Sequence, residues 1–177
     1  MPLDPALRLE SDRLVLRPIE KSAARSILRG IAPANLNFAE GYPSEFSLEV
    51  MDLLAGNRRS EAPGFAPWFM ILKSENSVIG DLGSSWKQGD RSATVGYDVI
   101  LPRQGQGFAT EALKTLIGFY LSQTGVEMVT ADTFSEHIAS RRVMEKAGMT
   151  FTRTIRRIED GEERDLVVYE IHRASGG

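Results

Sequence analysis

Val95-Gly96-Tyr97-Asp98-Val99-Ile100-Leu101-Pro102-Arg103-Gln104-Gly105-Gln106-Gly107-Phe108-Ala109-Thr110-Glu111-Ala112-Leu113 runs from an apolar segment, through a proline and two glycines, into a helical pattern. The apolar run stops at Pro102. After Gly105 and Gly107, the residues Phe108, Ala109, Ala112, Leu113, Leu116, Ile117, Tyr120 and Leu121 recur at helical spacing. This is a strand, a tight loop and a helix. The first-turn amides of such a helix have no intrahelical acceptor and point out of its positive end toward the loop. Gly105 and Gly107 carry no Cβ, so a phosphate oxygen can come close, and Arg103 to Thr110 becomes a candidate anion cradle.

Three readings compete for the loop. Glycines between a strand and a helix also make ordinary turns. A P-loop is excluded, because neither glycine is followed by Lys-Ser or Lys-Thr. A dinucleotide fingerprint wants a third glycine where Thr110 stands, although Asp132 lies near the spacing of a ribose-binding acid, so a Rossmann-type binder stays as an alternative.

The chain of 177 residues fits one domain spanning 1–177, and 42% hydrophobic content is enough for one core. A net charge of −3 gives no electrostatic reason to expect nucleic acid or an anionic membrane, and suits a cationic substrate better. With no cysteine, disulfides, thiolate catalysis and cysteine metal sites all drop out. The two histidines, His137 and His172, lack metal-ligand spacing, so no metal is expected. Met1 to Pro5 has no signal-peptide pattern and no long apolar run occurs, which makes a cytoplasmic protein the default.

Outward from the central stretch, Leu9 to Leu16 reads as an opening strand ended by Pro18, and Glu20 to Arg29 as an amphipathic helix stopped by Gly30. Ile31 to Phe46 reads as a loop holding Asn35, Asn37, Phe38, Glu40 and Tyr42. A second helix around Leu48 to Ala55 ends at Gly56-Asn57. Pro67 to Leu72, Ser77 to Trp86 and the strand from Ala93 form an antiparallel meander. Beyond the central helix, which Gly125 ends, come a strand at Met128 to Ala131 and a helix from about Ser135, capped by Thr133 or Ser135 and closed by Gly148. A hairpin follows, Met149 to Ile158 and Arg164 to Ile171, turning at Asp160-Gly161. The tail Arg173 to Gly177 reads as loose. The order is β-α-α-β-β-β-α-β-α-β-β, with one parallel crossover: an α+β fold, an α/β sandwich of seven strands in a mixed, mostly antiparallel sheet with four helices.

A second stretch, His137-Ile138-Ala139-Ser140-Arg141-Arg142-Val143-Met144-Glu145-Lys146-Ala147-Gly148-Met149, agrees with the first. Together with Arg103 to Ala112 it resembles the GNAT superfamily of acetyl-CoA-dependent N-acetyltransferases, in particular the RimJ/RimL-like branch. Asp12 to Pro18 and Asp165 to Tyr169 extend the resemblance over most of the chain. It implies that Val95–Leu101 and Met128–Ala131 splay apart around a pantetheine arm. Val99 and Leu101 would bond that arm through their backbone. Arg103, Gln104, Gly105, Gln106, Gly107, Phe108, Ala109 and Thr110 would hold the pyrophosphate, with His137 and Ser140 on the far wall. The chain departs from the family pattern at Pro102, His137 and Met149, and at Met144, where many members carry the tyrosine that protonates the departing thiolate. Ser140 is retained and is the candidate thiol-side acid.

The implied reaction moves an acetyl group from acetyl-CoA to a primary amine, on a protein N-terminus or a small molecule, by direct attack in a ternary complex. It needs a deprotonated amine, an oxyanion donor, expected as an N–H near Leu101, and a proton for the thiolate. Glu40, Asp81 and Asp98 are candidate bases. A catalytically silent coenzyme A binder of the same fold is the other alternative, and a homodimer fits the branch.

Overall fold

A computed structural model describes residues 4–56, 64–87 and 89–174. The order of elements is β1 (Leu9–Glu10), β2 (Leu14–Pro18), α1 (Lys21–Leu28), β3 (Asn37–Phe38), α2 (Glu45–Ala55), β4 (Trp68–Leu72), β5 (Ser77–Ser85) and β6 (Ser92–Val99). A short 3₁₀ turn (Leu101–Arg103), α3 (Phe108–Ser122), β7 (Met128–Phe134), α4 (Ile138–Lys146), β8 (Thr150–Glu159) and β9 (Glu162–His172) complete it. The sheet runs β1-β2-β4-β5-β6-β7-β9-β8, with β3 added to β5. It is the expected mixed α+β sandwich with four helices.

Among the described residues there are nine strands, against an expected seven, and two short pieces make the difference. The opening strand is a hairpin: β1 folds back on β2, with Leu9 opposite Leu16. Asn37–Phe38, read as loop, pairs in parallel with Ser77 and Val78, a two-residue contact too short to leave a periodic trace. α2 begins three residues earlier than expected, because the Ser44 hydroxyl caps it by accepting from Ser47 N at 3.0 Å. It ends at Gly56 in the left-handed region; Asn57 lies outside the described residues. Neither Thr133 nor Ser135 caps α4, whose N-cap is His137. The Asp160-Gly161 turn is as read, with both residues at positive φ. Arg173 is held rather than loose, donating its amide to Glu127 O at 2.7 Å; residues 175–177 lie outside the described set.

Alternation along the strands sorts side chains between two helical layers. On β5, Asp81 faces Tyr42 and α2, whereas Ser84 meets Tyr120 of α3. Helices on both faces explain why β4 is buried at every position. Beside it, Arg17, Phe69, Asp81 and Asp98 stand opposite one another across β2, β4, β5 and β6.

The central feature for function is a parting of strands. β6 and β7 are parallel neighbours only over Ser92–Met128, Ala93–Val129 and Thr94–Thr130. Beyond that point β6 stays on β5 while β7 follows β9, through Phe134 opposite Leu166. A wedge opens between Val95–Val99 and Ala131–Phe134, as the resemblance implied. The antiparallel neighbours on both sides remove the Rossmann alternative, which needs adjacent parallel strand-helix units.

Candidate active site

The open end of the wedge leads into a cleft of about 320 Å³ between β6, the N-terminal end of α3 and α4. Gly105 and Gly107 take φ of +73° and +82°, the left-handed region that other residues enter only under strain. Gly107 is itself the N-cap of α3 and provides no side chain to its first turn, so the amides of Phe108, Ala109 and Thr110 face the cleft. A diphosphate fits such a cradle.

Of the residues expected to hold a cofactor, Val99, Arg103, Gln104, Gly105, Gly107, Phe108, Ala109, Thr110, His137 and Ser140 line this cleft. Leu101 and Gln106 do not: Leu101 opens the 3₁₀ turn and is 80% exposed, and the Gln106 amide is bent back to Pro102 O at 3.1 Å. The main chain facing the wedge lies further back on β6. Ile100 N donates to Ile79 O at 3.0 Å, and alternate residues of an antiparallel strand bond to opposite sides, so Tyr97 and Val99 present their backbone N–H groups to the gap. The backbone N–H that faces the gap nearest the expected position at Leu101 is that of Val99. The Arg103 guanidinium is paired with Glu75 at 2.6 and 2.7 Å.

Several residues without an assigned role in the sequence shape the site. Arg142 and Lys146 line the cleft from α4; with Ala139 and Val143 they form one helical face, a spacing visible in the sequence. In a chain of net charge −3 they bring cations where a polyanionic nucleotide would lie. Arg13 fastens the loop. Its amide and Nε each donate to Glu111 at 2.7 Å, its Nη1 donates to Gln106 O at 3.0 Å, and its guanidinium lies 4.3 Å over the Phe108 ring. Ser11 adds a hydroxyl donor to Glu111 at 2.7 Å.

Burial pushes the Glu111 carboxyl up, but the amide of Arg13, the Ser11 hydroxyl and the Arg13 guanidinium outweigh it and hold it below its usual range. A depressed carboxylate stabilises the fold above its unfolded value, and the gain is lost as pH falls through the folded one. Glu111→Ala is expected to cost about 1–3 kcal/mol and to weaken coenzyme A binding by loosening the loop. Urea unfolding and calorimetry would measure both; unchanged affinity would show that the Arg13 anchor does not shape the cradle.

Tyr97 bridges β6 to α4, its hydroxyl donating to Ser140 O at 2.8 Å and lying 3.0 Å from Ser140 Oγ. His137 is exposed, with Nδ1 3.3 Å from Thr133 Oγ1. Met144 is 1% exposed in the core, so the turn of α4 after Ser140 brings no acid to the cleft. Of the three candidate bases, Glu40 is exposed on its loop and Asp81 is fully buried. Asp98 lines the cleft and accepts from Ser44 Oγ at 2.7 Å. Among the described residues no group of three or more histidine, aspartate or glutamate side chains could hold a metal ion, and no helix is long and apolar enough to cross a membrane.

Residues 13–150 match the family described as the acetyltransferase (GNAT) domain. The chain belongs to the GNAT acetyltransferase family. An uncharacterized N-acetyltransferase of Bacillus subtilis, YoaA, is 27% identical over 169 residues, covering 92% of this chain and 95% of that one. A GNAT-family acetyltransferase from Bacillus anthracis superposes with a TM-score of 0.70 at 19% identity, over 96% of this chain and all of the other. RimL, the ribosomal L7/L12 alpha-N-protein acetyltransferase, crystallised with coenzyme A, superposes at 0.69 and 18% identity, over 94% and 98%. The RimJ/RimL-like resemblance thus has a structural counterpart. This GNAT domain is an enzyme of the N-acetyltransferase class, and its fold is one that holds coenzyme A in RimL.

Proposed function

We propose that the chain is a cytoplasmic enzyme that transfers the acetyl group of acetyl-CoA to a primary amine, on a protein N-terminus or a small molecule, by direct attack in a ternary complex. The observation that carries this is the wedge between β6 and β7 opening onto the α3 cradle. An extended pantetheine arm would add to the exposed edge of β6 as a strand does, and its diphosphate would meet the amides after Gly107. The amides of Gly105, Gly107, Phe108, Ala109 and Thr110 bind, with Gln104, Arg103, Arg142 and Lys146 around them, while His137 and Ser140 close the far wall. No metal enters the reaction, and neither nucleic acid nor membrane is a partner.

Tyr97 and Asp98, consecutive on β6, turn to opposite faces of the sheet, toward α4 and toward the N-terminus of α2. This gives the reaction two sides. The thioester comes from the α4 side, with the Val99 amide placed to donate to the oxyanion. The acceptor comes from the α2 side, where the Asp98 carboxylate attracts an ammonium group and a neutral amine can form beside it.

Coenzyme A is expected to raise the melting temperature by several degrees, at ~2.7 kcal/mol for a hundredfold excess over Kd, whereas NAD leaves it unchanged. Thiol release from acetyl-CoA is expected to accelerate with at least one of a peptide α-amine, a polyamine, an aminoglycoside and an amino-acid amide. Binding without acceleration by any amine would leave the silent reading, which the buried Met144 favours. In the same proposal the chain pairs with a second copy along β8, an edge strand exposed at every position and carrying Phe151, Ile155 and Ile158. Equilibrium sedimentation would show a dimer; a monomer removes this part.

A further inference from the structure

The Ser140 hydroxyl is not free to act alone. Tyr97 has a single hydroxyl hydrogen, within reach of Ser140 O at 2.8 Å and of Ser140 Oγ at 3.0 Å; when it turns from the carbonyl to Oγ, the serine hydrogen is free to face the cleft. The two hydroxyls form a chain that starts at the cleft wall and ends on the phenol. A serine alkoxide is a far stronger base than a phenolate, so when this chain gives up a proton the negative charge comes to rest on Tyr97. The turn of α4 beyond it puts Arg142 and Val143 on the cleft and buries Met144, with no carboxyl or phenol among them.

We propose that Tyr97 supplies the proton taken by the departing thiolate, with Ser140 Oγ as the relay between them. The inference rests on the acetyl-transfer reading above. In the step, the amine nitrogen bonds to the thioester carbonyl carbon, and the C–S bond breaks with its electron pair going to sulfur. Sulfur takes the Ser140 proton as Ser140 takes that of Tyr97. The Tyr97 phenolate is then reprotonated, through water in the cleft, by the proton that the new amide nitrogen sheds, so nothing is consumed beyond the two substrates.

Burial pushes the Tyr97 hydroxyl up to about 12, against the pull of its bond to Ser140, which keeps the proton in place at neutral pH. The titratable and charged groups sharing the cleft are Asp98 on the same strand, Arg103 on the turn, and His137, Arg142 and Lys146 at and along α4. From β5 the residue opposite Tyr97 is Leu82, and α3 presents Ala109 and Thr110.

With the panel amine that wild type acetylates fastest, Tyr97→Phe is expected to lower kcat by about 10²-fold, with KM for acetyl-CoA and the coenzyme A melting shift unchanged. Ser140→Ala falls similarly, and the double variant is no worse than the poorer single one, as for residues acting as a unit. Replacing Tyr97 with trifluorotyrosine keeps its shape and makes the phenol more acidic. A falling alkaline limb should then enter the pH profile of kcat and persist when His137→Asn removes the nearby imidazole. Full kcat in Tyr97→Phe beside a large loss in Ser140→Ala overturns the inference, and so does a fluorinated enzyme without the limb. Wild type that releases no thiol with any amine removes the acetyl-transfer reading and this one together. Turnover indifferent to Tyr97 removes this one alone.

Discussion

Asp81→Asn is expected to stabilise the protein by roughly 2–4 kcal/mol at pH 8 and to leave it nearly unchanged at pH 4. The carboxyl is 0% exposed; Tyr42 donates to Oδ1 at 2.8 Å, Ser47 also reaches it, and Oδ2 has no partner among the described residues. Burial raises it from 3.8 to about 7, against the pull of Ser47 and Tyr42, with the Asp98 charge across the strand adding to the rise. The folded chain therefore keeps this proton where the unfolded chain has released it. Stability from the group is complete below about pH 4 and is lost as pH rises through 7. At ~1.4 kcal/mol per pKa unit the whole displacement is worth ~4 kcal/mol. Asparagine stays neutral throughout, and its amide can donate where Oδ2 had no partner. At ~2–4 °C per kcal/mol for a chain of this size, the variant should melt some 5–15 °C higher at pH 8. Denaturant curves at pH 4 and pH 8 would test it: a wild type equal to the variant at both would mean that no charge is buried there.

A buried carboxylate kept at such cost sits beside Asp98, the carboxylate of the cleft. The pair resembles other functional sites in trading stability for a local field. Asparagine at 81 removes the negative charge that faces Asp98 across the strand pair and changes the field at the cleft carboxylate. Activity is expected to fall as stability rises, which separates this change from an ordinary improvement in packing.

Parts of this arrangement are visible in the sequence because they are local. Gly105 and Gly107 are followed at once by a helical repeat, and the backbone needs positive φ within three residues of the helix it caps. The Asp160-Gly161 turn is equally self-contained. Arg142 and Lys146 were legible as one face of α4, although only the cleft gives that face a role. Tyr97 was not legible. An aromatic residue in a strand has good reason to be core, and its partner Ser140 lies 43 positions away on a helix whose docking no local pattern fixes. The Arg13–Glu111 anchor spans 98 positions. The burial of Asp81 was not legible either: Tyr42 and Ser47, whose side chains reach the acid, carry no hydrophobic period that would announce the contact. Charge pairs and buried hydroxyls specify geometry without leaving periodicity, and this is where reading the chain alone runs out.

Gly80→Ala is expected to cost about 3 kcal/mol or more and to remove most of the acetyltransferase activity. A Cβ at position 80 would stand 2.2 Å from the carbonyl oxygen of Asp98 and 3.1 Å from the Cα of Val99. Both are backbone atoms of β6, so no rotamer relieves the contact and the strands must part. The displaced segment is Tyr97 to Val99, which carries the proposed proton source, the cleft carboxylate and the proposed oxyanion amide. Gly83→Ala is the control: it lies on the same strand, and its Cβ would meet only the Phe65 ring at 3.7 Å, so its stability should stay within about 1 kcal/mol of wild type. Urea unfolding of the two variants, followed by thiol release from whatever remains folded, would decide it. If Gly80→Ala and Gly83→Ala behave alike, the close approach of β5 to β6 is not what holds the wedge open.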